Sequence, residues 1–254
     1  MKIVTLDIET APKLAYVWRF WKENISPKQV KEHSHIMSFA AKTFGKDEIQ
    51  YEECRNSKDL ALIKAVAKVL DEADVIIGHN VAKFDLGTIK ARAIHHGLRP
   101  WSPVKIIDTL QVAKKEFNFE RNSLADIARE LGVSPKGQHQ EFAGFELWLE
   151  CLRGNDRAWA EMKKYNIQDV VTNEEVYLAM RPWITNHPNI ANMLEADTTV
   201  CPKCGSKHIN WRGYYTTNVG KYHRFQCQGC GGWGRTRYTV NDIKKRKVLG
   251  TNAV

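Results

Sequence analysis

Residues 1–10 read MKIVTLDIET, an apolar run that ends on two carboxylates one residue apart, Asp7 and Glu9. Ile3, Val4, Leu6 and Ile8 are β-branched or large and apolar, so the stretch predicts a strand entering a core. On a strand, positions 7 and 9 project to one face with side chains about 7 Å apart. Two anions on one face repel unless a cation lies between them. An edge strand with a solvated acidic tip is the plainer reading, and this stretch alone leaves both open.

Outward from it, IMSFAAKTFG (36–45) and EIQYEEC (48–54) read as two further strands. Ser57 is placed as the cap of a helix in which Leu60, Ile63, Ala67 and Leu70 recur at helical spacing. DVIIGHN (74–80) is a short strand of buried type, followed by a helix from about Phe84 to a stop at Gly97. VKIID (104–108) is the fifth strand. Ser123 with Asp126 opens another helix, closed by Gly132, and helix returns from about Asn155 to Met180. Strands first and strand–helix alternation afterwards predict a mixed α/β sheet flanked by helices, its first three strands antiparallel.

The chain has 254 residues, 43% of them hydrophobic, enough for one large domain or a domain of about 200 residues with an appendage. No run approaches the ~18 apolar residues of a membrane span, and the opening strand is not a secretion signal. The expectation is a soluble intracellular protein, cytoplasmic or nucleoid-associated, with no membrane partner. The net charge is +9, unevenly spread. Residues 198–254 hold eleven Lys and Arg against one acid, Asp242, a balance of +10; residues 1–197 hold 27 basic and 28 acidic side chains, a balance of −1. The sequence therefore divides into a near-neutral body, 1–197, and a basic module, 198–254, joined around HPNIANMLEADTTV (187–200).

The body carries further acids in telling places. GHNVAKFD (78–85) sets Asp85 just past a buried strand, where open α/β sheets place their ligand sites. YNIQDV (165–170) puts Tyr165 and Asp169 one turn apart on one helix face, with Ile167, Val170 and Val171 assigned to the apolar side. Asp7, Glu9, Asp85, Asp169 and Tyr165 together resemble the DEDD exonuclease superfamily in its tyrosine subclass. The strongest likeness is to the proofreading 3′→5′ exonuclease domain of family B DNA polymerases. LDIET resembles the first motif, GHNVAKFD the second and YNIQD the third, over roughly residues 1–180.

That resemblance implies a ribonuclease-H-like fold and a free-standing, metal-dependent 3′→5′ DNA exonuclease, since palm and fingers are absent. It also implies two Mg²⁺ or Mn²⁺ ions held by hard oxygen ligands about 3.5–4 Å apart. Asp7 would bridge them, Glu9 and Asp169 would help hold the water-activating ion, and Asp85 would act on the other through water. Tyr165 would orient the attacking water, because a phenol with its ordinary pKa near 10 is a poor base at neutral pH. Thr10, Asn80 and Phe84, within the first two motifs, are candidates for substrate contact. An exoribonuclease on the same scaffold and a non-catalytic replication adaptor are the alternatives. The partners expected are single-stranded DNA or DNA 3′ ends, with replication proteins besides.

Several other residues bear on the site. Asp108 suits a helix N-cap with Gln111 better than a ligand. His79, His95 and His96 read as surface or core histidines. Tyr16, Trp18, Phe20 and Trp21 interleave with Lys and Arg just after the first motif. They suit either a lid packed on the core or a place where unpaired bases stack.

In the basic module, CPKCG and CQGCGG form C-x₂-C-x₂₂-C-x₂-C, the pattern of a zinc ribbon with a β-hairpin between its knuckles. Cys201, Cys204, Cys227 and Cys230 are the expected ligands of one structural Zn²⁺. His208 and His223 are not needed for it, and Cys54 and Cys151 read as buried thiols. Loaded with zinc, the module keeps a charge of about +8. Arg212, Lys221, Arg224, Arg235, Arg237 and the 244–247 run mix with Trp211, Tyr214, Tyr215, Tyr222 and Trp233. Phosphate neutralisation and base stacking are expected of that mixture, with Arg212 and Arg235 as substrate contacts. A protein-docking ribbon is the alternative.

Overall fold

The apolar run at the head of the chain becomes β1 (Ile3–Thr10), the middle strand of a five-stranded mixed sheet. The computed structural model describes residues 1–133 and 141–251 and divides into two compact units, Lys2–Tyr177 and Leu178–Val254. After β1 an excursion holds β2 (Leu14–Ala15) and β3 (Val30–Glu32), and the chain returns as β4 (Ile36–Thr43) and β5 (Ile49–Glu53). Then come α1 (Leu60–Glu72), β6 (Val75–Gly78), α2 (Asp85–His95) and β7 (Lys105–Asp108). Four helices follow: α3 (Thr109–Glu116), α4 (Leu124–Leu131), α5 (Glu146–Leu152) and α6 (Asp156–Met180). The sheet order is β5-β4-β1-β6-β7, with β1, β4 and β5 antiparallel and β6 and β7 parallel to β1. Among the described residues no helix is long and apolar enough to cross a membrane.

Both faces of β1 are covered, and each does something different. Val4, Leu6 and Ile8 join Phe39, Ala41 and Ile76 in a core closed by Leu62, Ile63, Val66 and Leu70 of α1 and Leu86 and Ile89 of α2. The odd-numbered residues face the other way, so Asp7 lies opposite Ala40 and Glu9 opposite Ser38 across the ladder with β4. On that face Asn166 of α6 bonds Asp7, and Lys42 forms an ion pair with Glu174 of the same helix. Period-two patterning thus separates a dry face from a polar one.

Some local expectations are corrected. The N-cap of α1 is Asp59 rather than Ser57, and its carboxylate makes no cap bond. The buried stripe of α1 is Leu62, Ile63, Val66, Val69 and Leu70, while Leu60 is exposed and Ala67 half-buried. Asp59 is drawn elsewhere. Fully buried, it accepts from Arg92 Nε and Nη2 at 2.8 and 2.6 Å, from the Ile36 N–H at 3.1 Å, and lies 2.7 Å from His96 Nε2. Burial opposes its charge, but the Arg92 and His96 bonds and the amide prevail and bring the carboxyl down to about 2.

A depressed carboxyl stabilises the fold above its unfolded pKa, and that contribution fades as pH falls toward the folded value. Asp59→Ala should therefore cost about 3 kcal/mol at pH 7, because it strands a largely buried guanidinium. The gap from the parent in urea unfolding should narrow as pH falls from 3.8 toward about 2. An unchanging gap across that window would refute the linkage.

The second unit holds β8 (Ile209–Thr216), β9 (Lys221–Cys227), β10 (Trp233–Arg235) and a short helix α7 (Ile243–Val248). The three strands pair in the order β10-β9-β8, and the β8–β9 hairpin lies between the two cysteine pairs, as the spacing predicts.

Candidate active site

Asp7 and Glu9 share the polar face of β1 and meet Asp169, which α6 carries to the same place. One carboxylate oxygen from each of the three lies within 4.8 Å of the others. Asp169 is buried and the other two are half-buried. Three clustered carboxylates make a hard, anionic donor set that suits a divalent cation with oxygen ligands. A β-bulge between Glu9 and Thr10 changes the register there, the kind of irregularity that re-aims side chains beside functional sites.

Asp85 is anchored differently and lies outside this trio. β6 pairs with β1 from Ile3 as far as Thr5 and ends at Gly78, so the Ile8 N–H beyond it needs another acceptor. Asp85 Oδ1 supplies it at 3.0 Å from the first residue of α2. Burial raises the Asp85 carboxyl to about 7 against the pull of the Ile8 amide and its own N–H, and the Asp108 charge adds to the rise. The turn from β6 to α2 is tight. A Cβ on Gly78 would lie 2.4 Å from Val81 Cβ, so only glycine leaves room for the chain to double back.

Asp108 caps α3, accepting from Leu110 and Gln111 N–H at 3.1 and 3.3 Å. It also accepts from Asn80 N–H at 3.0 Å and Ala82 N–H at 3.2 Å. One side chain thus binds the second motif to the start of α3, and Asn80 sits in the left-handed region at φ 63°. Asparagine tolerates that conformation better than most residues. The cap was legible in the sequence, but the grip on the 80–82 loop was not. Phe84 precedes α2 and is 43% exposed, and Thr10 is half-buried at the bulge.

Five residues that spacing did not single out order the site. Asn166 Nδ2 donates to Asp7 Oδ2 at 2.6 Å, while its Oδ1 accepts from Ser38 Oγ at 3.1 Å. That pair fixes which way Asp7 points. Farther along α6, Asn173 Oδ1 accepts from Thr109 Oγ1 at 2.7 Å. Asn166 and Asn173 are seven residues apart and both buried, so the polar stripe of α6 includes them, while Ile167 and Val171 are only half-buried. Two buried asparagines at heptad spacing were the available signal. Trp148 of α5 packs edge-on against Tyr165 of α6, ring centroids 5.8 Å apart, and buttresses its ring.

The histidines go to structure. His79 Nε2 donates to the Asn122 carbonyl at 3.0 Å and its Nδ1 lies 3.0 Å from Thr109 Oγ1. His96 belongs to the Asp59 cluster and packs edge-on with His95. Cys54 and Cys151 are buried thiols.

In the second unit the four knuckle cysteines converge within 4.8 Å of one another. Cys201 and Cys230 sulfurs are 3.7 Å apart, those of Cys204 and Cys227 3.6 Å. A Zn–S bond near 2.3 Å makes tetrahedral S···S edges of about 3.8 Å, so the donor set matches zinc in geometry as well as in chemistry. Burial raises the Cys201 thiol to about 11 despite amides from Lys203 and Cys204. At Cys227 the Cys230 amide, the Cys204 thiol and the Gly229 amide outweigh burial and bring it to about 7. His208 and His223 are outside the group, and His223 lies against Tyr214 at 5.1 Å.

The cross-strand register sorts the sheet into two faces. Tyr215, Tyr222, Arg224, Trp233 and Arg235 share one, and Arg235 lies 4.1 Å over Tyr222 and Arg224 4.8 Å over Trp233. Trp211, Tyr214, His223 and the buried Phe225 share the other. Arg212 is exposed, and its carbonyl accepts from Arg224 Nε at 3.1 Å.

Residues 6–181 match the family model of the RNase_H superfamily. Among curated proteins none matches in sequence. Among solved structures, the family B DNA polymerase from the hyperthermophilic archaeon Pyrobaculum calidifontis is similar at a TM-score of 0.51 and 14% identity. The likeness covers 72% of this chain and 26% of that polymerase chain, so it spans about a quarter of the larger protein and speaks for the fold.

Proposed function

Because the chain belongs to the RNase_H superfamily, we propose that it is a metal-dependent nuclease releasing nucleotides from DNA 3′ ends. Superfamily membership supports the nuclease. The meeting of Asp7, Glu9 and Asp169 on the polar face of β1 and α6 is the observation that carries the metal-dependent reading. Asp85, bound to the backbone of the same strand, completes the set of four acids.

Two Mg²⁺ or Mn²⁺ ions on these carboxylates would supply an activated water and neutralise charge on the departing oxygen. The protein's own part is positional. Asn166 fixes the Asp7 carboxylate, and Asp108 holds the loop that presents Asn80 and Phe84 to the substrate. Tyr165, steadied by Trp148, orients the attacking water through its hydroxyl. Residues 198–254 form the nucleic-acid-binding module, in which Arg235 and Arg224, held 4.1 and 4.8 Å over the rings of Tyr222 and Trp233, offer their remaining N–H groups to phosphates. Arg212 adds a further phosphate contact.

End-labelled single- and double-stranded DNA and RNA, incubated with Mg²⁺ and with EDTA, test the reading. Shortening from the 3′ end, metal-dependent and stronger on DNA, is expected. Cleavage of RNA alone would refute the DNA preference, and no metal-dependent cleavage of any strand would refute the nuclease. Tyr165→Phe keeps the ring against Trp148 and loses only the hydroxyl, so turnover should fall by ~10–10³-fold. Loss as complete as that from removing an acid would show that Tyr165 does more than orient.

A further inference from the structure

Trp18, Phe20 and Trp21 are 91, 94 and 83% exposed, and Tyr16 is 69% exposed. The lid packed on the core is thereby excluded for this structure. Single large apolar residues on a surface are ordinary, but adjacent rings form a patch that calls for a partner. The backbone that carries them is tied down. Glu23 accepts from Trp18 and Arg19 N–H at 2.9 and 2.7 Å, and Gln29 Nε2 donates to Glu23 and to the Tyr16 carbonyl. Ser26 and Gln29 close a capping box, and β2 pairs with β3 at the base.

The excursion also has a charge and a place. Lys13, Arg19, Lys22, Lys28 and Lys31 are exposed along it, and Glu23, the one acid between 12 and 31, is engaged within the loop. Its base is pinned where Ala11 N–H meets the His35 carbonyl at 2.9 Å and Ser34 Oγ meets the Ala11 carbonyl at 2.7 Å. That is the end of β1 that carries Glu9, two residues before Ala11.

We propose that residues 16–22 bind the unpaired nucleotides next to the scissile end, Trp18, Phe20 and Trp21 stacking on bases and the flanking cations on phosphates. The proposal rests on the nuclease reading and names its substrate as single-stranded at that point. Flat rings open to solvent, on a loop with net positive charge, match what every base and phosphate provides. Because the loop is already ordered, little conformational freedom is lost on binding.

The test uses the full chain, a fluorescent single strand of about 20 nucleotides in EDTA, and thymidine 5′-(p-nitrophenyl phosphate) with Mg²⁺. Trp18→Ala/Phe20→Ala/Trp21→Ala should weaken strand binding by at least ~30-fold. Hydrolysis of the small ester should stay within about twofold, since it has no neighbouring base to stack. Trp18→Phe/Trp21→Phe should retain most of the affinity. Strand binding by the alanine variant within about threefold of the parent would overturn the proposal. So would a change from dimer to monomer, or lost binding to anionic vesicles with strand binding intact. A parent that hydrolyses neither substrate refutes the nuclease instead, while the binding measurement still judges the loop.

Discussion

Asp7→Asn and Asp169→Asn are each expected to lower turnover by ~10³-fold or more with little change in fold or strand affinity. The substitution is nearly isosteric, so the difference lies in charge. Asn166 Nδ2 donates to Asp7 Oδ2 at 2.6 Å, and an asparagine at position 7 can turn its amide oxygen to the same donor. The strand and helix therefore keep their contact. What disappears is one of three carboxylates whose oxygens lie within 4.8 Å of one another. A site that relies on cations to organise water and phosphate cannot replace that charge with a neutral amide. Thermal unfolding beside single-turnover assays with Mg²⁺ separates the two effects. Turnover within tenfold of the parent, in a variant that melts normally, would sink the assignment of the acids.

How much of this was legible beforehand depended on the range of the interaction. β1 declared itself because its apolar run and its two acids obey period two, and both consequences are local. The caps at Ser123 and Asp108 and the stop at Gly97 were readable for the same reason. Ser57 misled because cap chemistry assumes that the side chain serves its own helix, whereas the choice of Asp59 at the cap was made by Arg92, 33 residues away. The same limit hid Asn166, whose partner Asp7 is 159 residues distant. Helical spacing could find the Tyr165–Asp169 face, but it could not show that a neighbour of Tyr165 reaches back to the first strand. The aromatic run at 16–21 was visible as composition. Only burial could decide between a lid and an exposed patch, because a stripe of rings reads the same in either case.

If the four clustered cysteines hold zinc, as we propose, their loss should abolish the fold of the second unit while sparing the first. Among the described residues of Leu178–Val254 the buried apolar side chains are few: Met180, Ile184, Ile190, Val200, Phe225 and the two cysteines Cys201 and Cys227. A unit of that size with so thin a core needs a further constraint. Four cysteine sulfurs with edges of 3.6 and 3.7 Å provide it once a dication neutralises the thiolates. Metal binding and folding are then one free energy, on the order of 10 kcal/mol or more. Cys201→Ser/Cys227→Ser should bind no zinc, lose the β8–β9 hairpin's contribution to the circular dichroism, and become open to trypsin across its many Lys and Arg residues. The first unit has its own buried sheet and should resist the protease. Hydrolysis of thymidine 5′-(p-nitrophenyl phosphate) should persist, because every acid assigned to it lies before Tyr177, while binding of long strands should weaken and lose part of its salt dependence. An unchanged protease pattern in a zinc-free variant would show that the ribbon folds without metal, and the four cysteines would then need another explanation.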